Sequence, residues 1–175
     1  QGDIGMHVAT TLWGIEHIGE PVPNESASLR EKVTYLGECY AYGTKQLVDN
    51  PSIKDEIVAI NKALFEGKDH EMYTKGKKWS LEYFQTMYDK LGTAFDYFIF
   101  ESEVGETGKK MVTDNTPNVF EQSDGAYVYK GEKAGLHTRV FINSQGFPTY
   151  EAKELGNCLR KEELAPGNDI SLVVT

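Results

Sequence analysis

The chain has 175 residues, 39 % hydrophobic and 26 % charged, with a formal net charge of −9. That is enough for one domain with a real core, in a composition ordinary for a soluble globular protein; the acidic balance speaks against broad, nonspecific binding to a phosphate backbone. Cys39, Cys158 and four scattered histidines lack metal-ligand spacing, so no metal site is expected, and with no membrane-length apolar run or signal-peptide pattern the expectation is a reduced, cytoplasmic, membrane-free monomer.

Residues 2–7 form a Gly-rich turn, after which Val8, Leu12, Trp13 and Ile15 predict an amphipathic helix to about residue 18. Residues 20–26 are a linker by their prolines and polarity. Ser28, with Glu31 three positions on, is the sequence form of a capping box, and a helix is expected over 29–48. Its inner face reads as Val33, Leu36, Tyr40, Gly43, Thr44 and Leu47, and Gly37 and Gly43 either weaken it or admit a close neighbour. Ile53, Ile57, Ile60 and Leu64 predict a helix ending near Gly67. Another is expected over 79–91, burying Trp79, Tyr83, Phe84, Met87, Tyr88 and Leu91 and stopping at Gly92, with one or two turns before it over 69–75.

The pattern then turns to strands. Residues 94–102 are aromatic-rich and read as a strand; 104–112 read as a weak helix interrupted by Gly105 and Gly108. Short strands over 118–122 and 126–130 meet at Asp124-Gly125, a strong hairpin signal, and a third strand is expected over 138–143 after a loop at 131–135. The fold class is therefore α+β, a helical block packed on a small antiparallel sheet.

The most informative stretch is 141–156. Gln145-Gly146 supplies a turn, Pro148 ends the strand, and Thr149 is positioned to cap a helix with Glu151 in its first turn. Ala152, Leu155 and Leu159 mark the core side of that helix, and Tyr150, Glu154 and Asn157 share the opposite side. A phenol, a carboxylate and a carboxamide on one face can grip a small polar ligand; an ordinary capped helix with a polar outer face is the alternative. The last residues, 169–175, read as a buried parallel strand.

These residues resemble a motif of the arginyl-tRNA synthetases, class I aminoacyl-tRNA synthetases. Gln145-Gly146-Phe147-Pro148-Thr149-Tyr150 followed by Glu154 is similar to a family pattern in which Asp stands at both the Gln145 and the Glu154 positions. Gly2-Asp3-Ile4-Gly5-Met6-His7 resembles a second family segment, with Gly2 for Asn and His7 for Gln. Between them the family order of landmarks recurs: Tyr88 to Asp96, a strand ending in Glu101-Ser102, and the hairpin Ser123-Asp124-Gly125-Ala126. The His-Ile-Gly-His-like and Lys-Met-Ser-Lys-like signatures of class I enzymes do not occur in the chain.

The resemblance implies that both ends belong to a split class I nucleotide-binding, Rossmann-like α/β fold: 1–20 to its first half, 140–175 to its second, and 21–139 to an insertion. It implies a parent ligase that activates arginine with ATP, accompanied by Mg2+, and passes it to tRNA. The chain alone is expected to be inactive with no cofactor bound. Tyr150 and Glu154 would bind arginine, Asp3, His7 and Asn157 would support the pocket, and no side chain would act as a nucleophile. A free-standing, non-catalytic protein-interaction domain is the competing reading.

Overall fold

The computed structural model describes residues 2–68, 70–167 and 170. The strand expected over 169–175 lies, apart from Ile170, outside them. The chain divides into two compact units, Gly2–Asp96 and the part from Tyr97 onward.

The first unit is helical: α1 (Met6–His17), α2 (Leu29–Asp49), α3 (Lys54–Phe65) and α4 (Glu71–Leu91), with a 3-10 turn at Pro51–Ile53. The central helix is α1, which touches α2, α3 and α4. Ala9 and Trp13 pack with Ile53 and Ile57, and Leu12 packs with Ile4 and Leu64, so α1 is buried on two sides. The expected capping box is present at α2: Ser28 accepts from the Glu31 N–H while the Glu31 carboxylate takes the Ser28 N–H at 2.7 Å. The buried face of α2, however, is Tyr35, Cys39 and Gly43, and Tyr40 and Thr44 face solvent. The reason is a close crossing. A side chain on Gly43 would meet the Thr10 carbonyl oxygen at 2.6 Å, and one on Gly14 would meet the Cys39 carbonyl oxygen at 2.1 Å. Helix α4 starts eight residues before the predicted 79, with the His70 ring accepting the Tyr73 N–H. Gly92, with φ 63°, ends it in the left-handed conformation that glycine takes without strain. Trp79 is buried as expected, but Phe84 and Leu91 are exposed.

The second unit contains α5 (Glu101–Asp114), β1 (Glu121–Ser123), β2 (Ala126–Tyr129), a 3-10 turn (Gly131–Ala134), β3 (Arg139–Ile142) and α6 (Tyr150–Leu164). The expected strand over 94–102 does not form. Residues 93–100 run without regular structure, Phe95, Tyr97 and Phe98 are largely exposed, and Glu101-Ser102 opens a helix instead of closing a strand. Aromatic residues favour a strand only where a pleated, half-buried surface receives them. The weak helix over 104–112 is in fact α5, with Val104, Gly105, Gly108 and Val112 buried. Its glycines are contact points: a side chain on Gly108 would strike the Ala152 carbonyl oxygen at 1.8 Å, and one on Gly156 the Val104 carbonyl oxygen at 2.2 Å. The two backbones meet at these positions, and α5 and α6 cross there.

The sheet is antiparallel in the order β1-β2-β3. Asp124 and Gly125 both have positive φ, as the predicted hairpin turn requires. Pairing of β2 with β3 slips at Phe141, which stands as an extra residue between the Tyr127–Ile142 and Val128–Val140 partners. Both α5 and α6 pack on β3, and Val112, Phe120, Ile142 and Ala152 close the core of this unit.

Candidate functional site

Tyr150, Glu154 and Asn157 lie in the second unit, on the first two turns of α6. The approach to that helix is built by Asn143. Its side-chain oxygen accepts the N–H groups of Gln145 and Phe147, each at 3.0 Å, and its own N–H donates to the Phe147 carbonyl at 3.0 Å. Asn143 therefore holds the turn with its own side chain, and the Gln145 side chain, which stands where the family has Asp, is exposed. Thr149 occupies the N-cap position but does not cap. Its hydroxyl donates to the carbonyls of Val140 and Phe141 at 2.7 and 3.1 Å, and its N–H donates to Phe141 at 2.9 Å. The bulged residue of β3 thus anchors the start of α6, a tertiary bond replacing the expected local one.

The three polar residues come together as the helical spacing predicts. The Asn157 side-chain amide lies 3.4 and 3.5 Å from the two Glu154 oxygens, a long contact that orients the carboxylate. Tyr150 is half-exposed. Its phenol is raised above the ordinary tyrosine value, first by partial desolvation and then by the carboxylates of Glu154, Glu101 and Glu151. On the core side Ala152 is buried and Leu155 packs against the core as expected; Lys153 and Gly156 are buried as well, while Leu159 is exposed. Small residues take the crossing with α5, and Leu159 lies beyond it.

Glu101, the first residue of α5, was not among the residues singled out by spacing. It meets Lys153 Nζ at 2.5 Å and sits within electrostatic reach of Tyr150. Its partners are about fifty positions away in sequence, so helical periodicity carries no sign of the association. Three carboxylates thus bear on the Tyr150 phenol, Glu154, Glu101 and Glu151, of which Glu101 meets Lys153 and Glu151 lies 3.9 Å from Arg139. A guanidinium is a fitting partner for such a set, since carboxylates bind it through charge-assisted, often bidentate hydrogen bonds.

Asp3 and His7 belong to the first unit. Asp3 is buried and accepts from Lys77 Nζ at 2.6 Å and Tyr73 Oη at 3.0 Å. It ties the start of the chain to α4. His7 is exposed in the first turn of α1, where its carbonyl accepts the Thr11 hydroxyl at 2.8 Å. Among the described residues, no group of three or more His, Cys, Asp or Glu side chains is arranged to hold a metal ion.

No protein-family profile matches the chain. Its architecture is that of an aminoacyl-tRNA synthetase segment. The arginyl-tRNA synthetase of Thermus thermophilus superposes on 94 % of the chain with a TM-score of 0.61 and 19 % identity, a likeness of fold. Sequence relationship goes further. The arginine–tRNA ligase of Bdellovibrio bacteriovorus is 30 % identical over 165 residues, 88 % of this chain, and that of Borreliella burgdorferi is 28 % identical over 167 residues, 89 % of it. The arginine–tRNA ligase of Encephalitozoon cuniculi is 24 % identical over 98 % of the chain. The chain is related in sequence to a segment of the arginyl-tRNA synthetases. It spans 27 to 30 % of the length of these relatives.

Proposed function

We propose that this chain supplies the arginine-recognition part of an arginine–tRNA ligase. The observation that supports the reading is the placing of Tyr150, Glu154 and Asn157 at the start of α6, with the Asn157 amide on the Glu154 carboxylate and Glu101 bonded to the adjacent Lys153. Arginine stays cationic at any working pH, so a site for it needs opposing carboxylates. Glu154 pairs with the guanidinium, Asn157 orients the Glu154 carboxylate, and Tyr150 packs on the substrate and hydrogen-bonds to it.

In the whole enzyme the reaction is attack of the arginine carboxylate on ATP, giving arginyl-adenylate and pyrophosphate, followed by transfer of the arginyl group to the tRNA 3′ end. No side chain of this chain acts as nucleophile; its contribution is binding, orientation and charge complementarity. ATP and its Mg2+ would be held by residues outside the groups described above. On this reading the chain's ends belong to the two halves of a split nucleotide-binding fold, with 21–139 inserted between them.

The test is Glu154→Gln in an active ligase that contains this chain, with arginine and ATP varied separately. Neutralising one member of a buried charged pair costs about 2–5 kcal/mol, so arginine use should weaken by roughly one to four orders of magnitude. The KM for ATP should barely move. Unchanged arginine kinetics in a folded variant would remove Glu154 from the site.

A further inference from the structure

Among the described residues, two charged side chains are buried, Asp3 and Lys153. Lys153 lies one residue before Glu154 and three after Tyr150. Its side chain is 10 % exposed and its ammonium reaches across to α5, where it meets Glu101 Oε2 at 2.5 Å. The helix crossing makes this reach possible: the Gly108–Ala152 and Gly156–Val104 contacts bring the two antiparallel backbones together, with the first turn of α6 beside the middle of α5, and the long Lys153 side chain spans from there to the first residue of α5. A buried ion pair is weak evidence for stability, since apolar residues of similar volume often serve as well or better. A lysine held in this slot has a further use if its partner's charge is needed where it stands. Lys153 is one helical turn from Tyr150 and adjacent to Glu154, so the carboxylate it holds lies by the start of α6, and the Glu101 charge bears on the Tyr150 phenol.

We propose that Lys153 is a positioning residue for arginine recognition, holding the Glu101 carboxylate at the Tyr150–Glu154 face of α6. The guanidinium then meets carboxylates from two helices at once. The Lys153 ammonium offsets the charge of Glu101 and Arg139 lies 3.9 Å from Glu151, leaving the charge of Glu154 for a single monocationic side chain. This rests on the arginine reading above.

The experiment is titration of the 175-residue chain with L-arginine, and with uncharged L-citrulline as control, followed by backbone amide NMR, with thermal unfolding of each variant in parallel. Wild type should show saturable shifts with arginine and none with citrulline. Lys153→Met should weaken arginine binding by roughly tenfold or more. The same substitution should add little in a Glu101→Gln background, because it acts through Glu101. Lys153→Arg, which keeps the cation, should retain most of the affinity. The exchanged pair Glu101→Lys with Lys153→Glu restores an ion pair across the crossing but puts the cation at the substrate face. It should recover thermal stability without recovering arginine binding, and it decides the matter if Lys153→Met fails to fold. Recovery of arginine binding by the exchanged pair, or unchanged binding in Lys153→Met, would show that the pair only staples the helices and overturns this proposal alone. No saturable arginine binding by wild type overturns the reading of the site itself, and this proposal with it.

Discussion

Glu154 carries one methylene more than the aspartate usual in the family, and Asn157 contacts both of its carboxylate oxygens. Glu154→Asp draws the carboxylate back toward the helix and away from that amide. In an active ligase containing this chain, the arginine KM should therefore rise, by less than in Glu154→Gln because the charge remains; equal losses in the two variants, read by steady-state kinetics, would mean that reach and not charge dominates. Tyr35 offers a test independent of function. It is buried, and burial together with the neighbouring Cys39 thiol pushes its phenol up to about 12. The folded state thus keeps its proton to higher pH than the unfolded chain does, and the difference costs nothing below pH about 10. Between about 10 and 12 the unfolded state ionises first, so stability should fall by up to roughly 3 kcal/mol. Tyr35→Phe should flatten that alkaline loss in urea titrations at pH 9 and 11.

Among helices, glycine has opposite meanings at positions that look alike in sequence. Gly37 has nothing within 4 Å of where a side chain would begin. Gly37→Ala should stabilise the chain by roughly 0.5–1 kcal/mol through helix propensity alone. Gly108 faces the Ala152 carbonyl oxygen at a distance no side-chain carbon tolerates. Gly108→Ala should therefore cost at least about 1–3 kcal/mol despite the better propensity, because α5 must move off α6. Thermal unfolding of the two variants gives shifts of opposite sign if the crossing is as described. A Gly108→Ala variant as stable as wild type would contradict the close approach. The same displacement should weaken arginine binding, since Glu101 and Tyr150 sit on the two helices being separated.

For the molecule as a whole, a net charge of −9 limits how any nucleic acid can be held. Binding of tRNA to this chain should be weak and should fall steeply with salt, because the contacts available are local cation–phosphate pairs. A titration showing tight, salt-independent binding would count against a small electrostatic contact. The chain should also give no arginine-dependent pyrophosphate exchange, since the two ATP-binding signatures of class I enzymes are not in its sequence. No described helix is long and apolar enough to cross a membrane.

What the sequence determined by itself was whatever depends on neighbouring residues. The Ser28–Glu31 box, the Asp124-Gly125 hairpin, the Gly92 stop and the joint facing of Tyr150, Glu154 and Asn157 are set within a few positions, and the structure has each of them. The order of motifs along the chain was enough to indicate the family. The tertiary structure decided what depends on distant partners. Residues 94–102 have the composition of a strand, yet the sheet is complete in the order β1-β2-β3 without them. Gly105 and Gly108 read as breaks until Pro148 lies against the one and α6 against the other. Thr149 had a local capping site available and instead bonds the bulge carbonyl of β3. Glu101 joined the site only because the crossing of α5 and α6 brought it to Lys153, 52 residues away. Periodicity reports the faces of one element; which face is buried, and what charge stands opposite it, is set by the element that packs there.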